Sequence, residues 1–290
     1  MESLLVVTGA SRGLGQAIAI SFSKALIADG SVKVVLVARS EQGLEETRQA
    51  IVSQGPTGTV AKSLTMDLSD LELLDEHLDT IFQEIQPLSR YKRLILINNA
   101  GSLGHLGKAN NQSSLKELRS YIDFNVTSSL WVSTRFCKVW SEALAAADNN
   151  DGTSTATIVN ISSLCAVQPF PTMAGYCAGK AARDLYHAVL AKEEEEEGKD
   201  TATRTRVLNY APGALETDMT TTLRACDELD PNLRQFFQSS HDKGDLIPPE
   251  RTADKLVKLV LSGDFESGSH IDYWDLDNDG RLQTTTKKQE

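Results

Sequence analysis

The sequence predicts one α/β domain: a doubly wound parallel sheet of seven strands with helices on both faces. Three observations predict it. Short apolar runs alternate along the chain with amphipathic helical patterns, as strand–helix–strand crossovers require. The runs are apolar at consecutive positions, the mark of strands buried on both faces. The first strand-to-helix connection is rich in glycine.

Leu4–Thr8 is the first strand. Gly9, Ser11, Arg12, Gly13, Leu14 and Gly15 lie in the turn after it, and a helical pattern follows through Ile18, Phe22, Ala25 and Leu26. Backbone N–H groups and the helix dipole at such a junction favour an anion, so the turn reads as a phosphate cradle. Its spacing is G-x-x-x-G-x-G; as bare glycines, it equally describes a turn without a ligand. Val32–Ala38 is the second strand, closed by Arg39-Ser40. An acidic residue near this point binds the ribose hydroxyls of NAD in dinucleotide folds. Arg39 instead suits a 2′-phosphate, with Arg12 as a second partner.

Glu41–Gln54 is a charged amphipathic helix. The third strand runs from about Thr59 to Met66 and ends at Asp67-Leu68, where Asp67 suits either an adenine amino group or a helix cap. A helix from about Asp70 to Ile85 precedes the fourth strand, Arg93–Ile97, and the turn Asn98-Asn99-Ala100-Gly101. Ser113–Ala147 is mostly helical. Asn125 lies inside its apolar pattern, and an asparagine there is expected to have a hydrogen-bonding task. Asp148–Thr155 is a polar loop, and Thr157–Ile161 the fifth strand.

Ser163 follows that strand at its carboxyl end, the edge where open α/β sheets bind ligands. Tyr176 and Lys180 are four apart at the start of the next helix and so share one face. A phenol with a pKa of about 10 is a poor donor at neutral pH; a neighbouring ammonium lowers it. Tyr176 beside Lys180 therefore reads as a general acid for a carbonyl oxygen, with Ser163 holding that oxygen. By itself the pair equally describes a surface tyrosine and a solvated lysine. The run Glu193–Glu197 reads as a solvated helix end. Arg206–Tyr210 is the sixth strand, broken by Ala211-Pro212-Gly213. The stretch from Thr217 to about Leu246 has no neighbouring strand to cross to and is expected to act as a lid. Glu250–Ser262 is a helix and Ser269–Trp274 a last short strand. Residues 1–278 form the domain; 279–290 are a polar tail expected to be disordered.

Composition narrows the function. At 290 residues the chain can bury a sizeable core, and 40% hydrophobic with 24% charged residues is ordinary for a globular protein. A net charge of −11 argues against non-specific nucleic-acid or anionic-membrane binding. No apolar segment is long enough to span a bilayer, and Met1-Glu2-Ser3 enters a strand at once, leaving no room for a signal peptide. Cys137, Cys165, Cys177 and Cys226 form no C-x-x-C pair and read as reduced thiols of a cytoplasmic protein, with no metal site. Asp275–Gly280 opens like a calcium loop, but Thr286 stands where the bidentate glutamate belongs, so the segment reads as a polar turn.

Taken together, the Thr8–Gly15 turn, Asn98–Gly101, Asn125, Ser163 with Tyr176 and Lys180, and Pro212-Gly213 with Thr217 resemble the short-chain dehydrogenases/reductases in order and spacing. The resemblance implies a Rossmann-like sheet in the order 3-2-1-4-5-6-7, a homodimer and bound NADP(H). It implies a tetrad in which Asn125 supports a proton-relay water, Ser163 orients the carbonyl, Tyr176 is the acid, and Lys180 tunes Tyr176 and holds the nicotinamide ribose. It also implies that the cofactor meets Gly9, Ser11, Arg12, Gly13, Leu14 and Gly15; Arg39, Ser40, Asp67 and Leu68; Asn99, Ala100 and Gly101; and Pro212, Gly213, Leu215, Thr217 and Met219. Within the family, Asn160–Phe170, Tyr176–Asp184, Val207–Gly213 and Ser267–Asp272 are similar to the branch that reduces pterin side-chain carbonyls. That implies a substrate held by Ser163, Tyr176, Gly213 and Asp272. A carboxylate can accept both donors of a pterin's 2-amino/N3–H edge. The glutamate run, the 148–155 loop and the acidic tail depart from that branch. The alternatives are a dicarbonyl reductase on the same scaffold and a non-catalytic NADP(H) sensor, for which Ser163 with Tyr176 would have no use. A serine hydrolase is disfavoured because Ser163 lacks a G-x-S-x-G elbow.

Overall fold

In a computed structural model, residues 1–55, 59–112, 114–145, 154–197 and 205–283 are described. They fold as β1 (Glu2–Thr8), α1 (Gly13–Asp29), β2 (Ser31–Ala38), α2 (Glu41–Gln54), β3 (Val60–Thr65), α3 (Leu74–Glu84), β4 (Arg93–Asn98), α4 (Leu115–Ile122), α5 (Ser128–Ala145), β5 (Thr155–Ile161), α6 (Ala174–Glu197), β6 (Thr205–Ala211), α7 (Asp218–Ala225), α8 (Pro231–Lys243), α9 (Pro249–Ser262) and β7 (His270–Asp272). The seven strands form one sheet in the order β3-β2-β1-β4-β5-β6-β7, and every neighbouring pair is parallel.

Alternation along each strand divides the core. Leu5 and Val7 of β1, with Ile95 and Ile97 of β4, pack against α1 and α9. Leu4, Val6, Leu94 and Leu96 point the other way, into a cluster with α3 and α5. Both faces are covered, which is why the strands read as unbroken apolar runs. The third cluster lies outside this sandwich, where Leu223 and Leu229 of the excursion after β6 close over Leu103, Met173 and Tyr176.

Four elements differ from the sequence reading. The helix expected from Asp70 is preceded by turns and begins at Leu74, because Asp67 and Asp70 cap turns of their own. The long helix from Ser113 is three pieces: α4, a π-helical turn at Asp123–Thr127, and α5. The stretch after Thr217 is two helices, α7 and α8, and its ends meet in a Leu215–Ile247 bridge. The last strand is only His270–Asp272, since Tyr273–Asp275 turns away as a 3₁₀ helix capped by the Asp272 carboxylate. Beyond residue 278 the described chain folds back to pair Leu282 with Leu276. Residues 148–153 of the polar loop and 284–290 of the tail lie outside the described residues.

Candidate active site

The glycine turn is shaped by close approach. Gly9 sits at φ +67°, and a Cβ on Gly15 would stand 2.1 Å from the Gly9 carbonyl oxygen, so neither position accepts a side chain without displacing the loop. Thr8 and Asn99 stitch this turn to the Asn98–Gly101 turn. Thr8 Oγ1 accepts from the N–H groups of Asn99 and Ala100 at 3.0 and 3.1 Å, and Asn99 Nδ2 donates to the Thr8 carbonyl at 3.0 Å. At the start of α1, Arg12 offers no side-chain cap and the first turn carries no acid. That leaves a helix N-terminus suited to an anion. Gly43, inside α2, lets that helix lie against the turn: a Cβ there would be 2.5 Å from the Ser11 carbonyl oxygen.

Arg39 and Asp67 face each other at 3.8 Å, the arginine largely exposed and the aspartate partly buried. Asp67 Oδ1 accepts from the backbone and hydroxyl of Ser69, so part of its carboxylate is occupied locally. Ser40 caps α2 through a 3.2 Å bond from the Gly43 N–H. Arg12 is ion-paired with Asp218 at the start of α7, and Thr217 faces the glycine turn beside Gly13. Leu14, Leu68 and Leu215 bury their side chains in the two sheet-face cores, which leaves their backbones for a ligand; Met219 is exposed. The anion-ready helix end, the glycine cradle and the two arginines fit a phosphorylated dinucleotide. The cradle would hold its pyrophosphate, and Arg12 with Arg39 a 2′-phosphate.

At the carboxyl ends of β5 and β6 the catalytic candidates meet. Ser163 caps the short 164–166 turn, its Oγ accepting from the Cys165 N–H at 3.2 Å, and lies close enough to Tyr176, which is 8% exposed, to act on its phenol. Lys180 Nζ lies 5.6 Å from the centre of the Tyr176 ring and donates to the Ile161 carbonyl at 2.6 Å. Asn125 sits in the π-helical turn. Its Oδ1 accepts from the Ser102 N–H at 2.6 Å, and its Nδ2 donates to Ser102 Oγ and the Tyr121 carbonyl. Asp272 pairs in register with Ala211, just before Pro212-Gly213. It is half-buried, and Oδ1 accepts from the Trp274 N–H at 2.9 Å. Burial, with Asp275 nearby, pushes its carboxyl up despite that N–H and His270.

The electrostatics correct the expectation that Lys180 lowers the Tyr176 pKa. Burial pushes the Tyr176 phenol up, as do the neighbouring Cys165 and Tyr121; the Ser163 hydroxyl opposes them only in part. Lys180 is itself driven down to about 7, by burial first and the Arg183 charge second. Both groups sit where water has been excluded, which favours the neutral form of each and leaves Lys180 poised to gain or lose a proton near neutral pH.

A model of the short-chain dehydrogenase family matches residues 3–228. The chain is a short-chain dehydrogenase/reductase. It is an oxidoreductase acting on a carbonyl or the corresponding alcohol. The sepiapterin reductase of Rattus norvegicus is 38% identical to it over 94% of this chain and 97% of that one. The benzil reductase ((S)-benzoin forming) of Bacillus subtilis (strain 168) is 28% identical over 90% and 94%. The crystal structure of the KRED1-Pglu enzyme superposes with a TM-score of 0.73 at 23% identity, covering 93% of this chain and 100% of that one.

Behind this reductase's site runs a polar seam that sequence reasoning missed. Asn98, Asn160, Asn209 and His270 stand in register across β4, β5, β6 and β7. α6 covers them with Arg183, Asp184 and His187. The signal was present: Tyr176, Lys180, Arg183, Asp184 and His187 fall at helical spacing on one face. Among the described residues no group of three or more His, Cys, Asp or Glu side chains is placed to hold a metal ion. Asp277 instead accepts from the N–H groups of Asp279 and Arg281 as a local turn.

Proposed function

We propose that this reductase transfers hydride from NADPH to a side-chain carbonyl of a pterin such as sepiapterin. The cofactor is NADP(H). The observation that carries the substrate class is Asp272. A half-buried carboxylate is costly unless it meets donors. The Asp272 carboxylate meets only backbone N–H groups of the 273–275 turn, Trp274 at Oδ1 among them, and no side-chain cation pairs with it among the described residues. The 2-amino and N3–H groups of a pterin would supply two donors there. The identity with sepiapterin reductases over nearly the whole chain supports the same reading.

Ser163 and Tyr176 present two hydroxyls to one carbonyl oxygen. NADPH, held at the Gly9–Gly15 turn, would supply the hydride for the carbonyl carbon. The oxygen takes the Tyr176 proton, and Lys180 returns a proton to the phenolate. That return suits a group that titrates at about 7. Asn125 fixes the 101–102 turn beside them. The benzil reductase likeness and the apolar neighbours of Tyr176 (Leu103, Met173, Leu223 and Leu229) favour an aromatic diketone as second reading. Turnover of sepiapterin and of benzil with NADPH, measured side by side, separates the two. A higher kcat/KM for sepiapterin is expected, and benzil turned over equally well or better would retire the pterin assignment. The assembly is a homodimer through α5 and α6, whose outer faces leave Trp131, Leu185 and Val189 40%, 69% and 46% exposed.

A further inference from the structure

Arg183 is fully buried, and its guanidinium is satisfied by oxygens from two strand ends. Nη2 donates to the Asn98 carbonyl at 2.6 Å, Nη1 to the Ala100 carbonyl at 3.1 Å and Nε to Asn160 Oδ1 at 2.8 Å. Asp184, the next residue, accepts from Asn160 Nδ2 at 3.0 Å and pairs with His270 Nδ1 at 2.6 Å. A buried arginine is costly, and a well-packed apolar side chain would often serve stability as well. Here the cation and the anion lie three and four residues after Lys180, on the face of α6 that carries it.

We propose that Arg183 and Asp184 are positioning residues of the reductase centre: they clamp the 98–101 turn to α6, and their opposed charges set the proton affinity of Lys180. The assignment rests on the Ser163–Tyr176–Lys180 reading, not on the pterin. Burial favours the neutral forms of Cys165, Tyr121, Tyr176 and His187 in the surroundings of Lys180. Burial pushes Cys165 of the segment after β5 up to about 12, and pushes up Tyr121 of α4 and Tyr176. Burial takes His187 down to about 4. Cys177, on the same turn as Tyr176, lies against Cys165. The remaining charges are Arg183 and Asp184, with His270 of β7 held against Asp184 and Asp272 beyond it. At short range and low local dielectric, charges so placed act strongly on Lys180. Arg183 opposes a second positive charge and Asp184 favours it.

The test is the pH dependence of kcat for sepiapterin reduction at saturating NADPH. Benzil replaces sepiapterin if that is the substrate turned over. The alkaline limb marks loss of the Lys180 proton. Arg183→Met removes the positive charge and should move the limb up, by roughly one pH unit for loss of a close like charge. Asp184→Asn should move it down. Arg183→Lys keeps the charge and should leave the limb in place, while its single ammonium cannot span three acceptors, so the KM for NADPH rises. Should Arg183→Met fail to fold, Asp184→Asn and Arg183→Lys still decide. A limb that stays put in Asp184→Asn, moves up in it, or moves in Arg183→Lys overturns the proposal. Tyr176→Phe is the control: if it keeps wild-type kcat, the tetrad reading has failed rather than this one.

Discussion

Arg39 shows how much one side chain can be asked to do. It is 68% exposed and its nearest acid, Asp67, lies 3.8 Å away, so the pair is screened and weakly held. A 2′-phosphate would offer it a doubly charged partner in place of one carboxylate. A charged hydrogen bond is worth about 1.5–3 kcal/mol, and exposure favours the lower end, roughly tenfold in affinity. NADPH should therefore give a higher kcat/KM than NADH, and Arg39→Ala should narrow the gap by about that factor. Equal values in the unaltered enzyme would remove Arg39 from the cofactor site. At this scale the sequence was readable where chemistry is local: Ser163, Tyr176 and Lys180 meet at one edge. It was unreadable where burial decides. Spacing places an ammonium beside a phenol, but not the dry surroundings that push Tyr176 up and Lys180 down.

α6 carries Tyr176, Lys180, Arg183 and Asp184 on its inner face and Leu185 and Val189 on its outer one. It touches α5 through the hydroxyls of Thr134 and Tyr186, 2.5 Å apart, so the two helices present one surface. Apolar side chains of this size are stabilised by about 1.5–3 kcal/mol each when fully buried, enough to favour a second copy covering them. Sedimentation equilibrium should give a dimer, and Leu185→Glu should shift it towards monomer with little change in melting temperature. A monomeric unaltered enzyme would contradict the α5–α6 interface. Strands and crossover helices were legible at this scale because their periods differ. The π-helical turn at 123–127 was not. Asn125 betrayed a polar task but not the extra residue that turns it towards Ser102. The two helices after Thr217 were missed because turn-rich polar sequence masks short amphipathic segments, and the exposed Phe236 blurs the pattern further.

For the molecule as a whole, the buried seam makes stability depend on pH. His187 Nδ1 contacts the Arg183 carbonyl and Nε2 the Ser133 hydroxyl, both at 2.8 Å, which fits a neutral ring donating from Nδ1. Burial lowers its pKa from 6.5 to about 4. The unfolded chain then binds the proton more readily, so stability is fully present above the unfolded value and is lost as pH falls through this window. A span of about 2.5 pH units at about 1.36 kcal/mol each sets an upper limit of about 3 kcal/mol. His270 has the opposite sign, since Asp184 raises its pKa; its contribution is present at low pH and fades as pH rises through the folded value. The melting temperature should fall between pH 6.5 and 4, and His187→Gln should flatten that fall relative to the unaltered protein. The same slope in both would place the acid sensitivity elsewhere. The strand order was legible through the family resemblance. The asparagine row across β4, β5 and β6 was not, because register between strands far apart in sequence leaves no mark on any one of them.

The most direct test of the pterin assignment is kcat/KM of Asp272→Asn for sepiapterin and for benzil, each with NADPH. The substitution keeps the shape and the Trp274 contact but removes the charge, and can turn an acceptor into a donor facing the ligand's own N–H. Sepiapterin reduction should fall by about 2–4 kcal/mol of transition-state stabilisation, while benzil reduction stays near its original value. Equal loss for both substrates, or no loss for either, would contradict the anchor and leave an NADP(H)-dependent carbonyl reductase whose substrate is not a pterin held by Asp272.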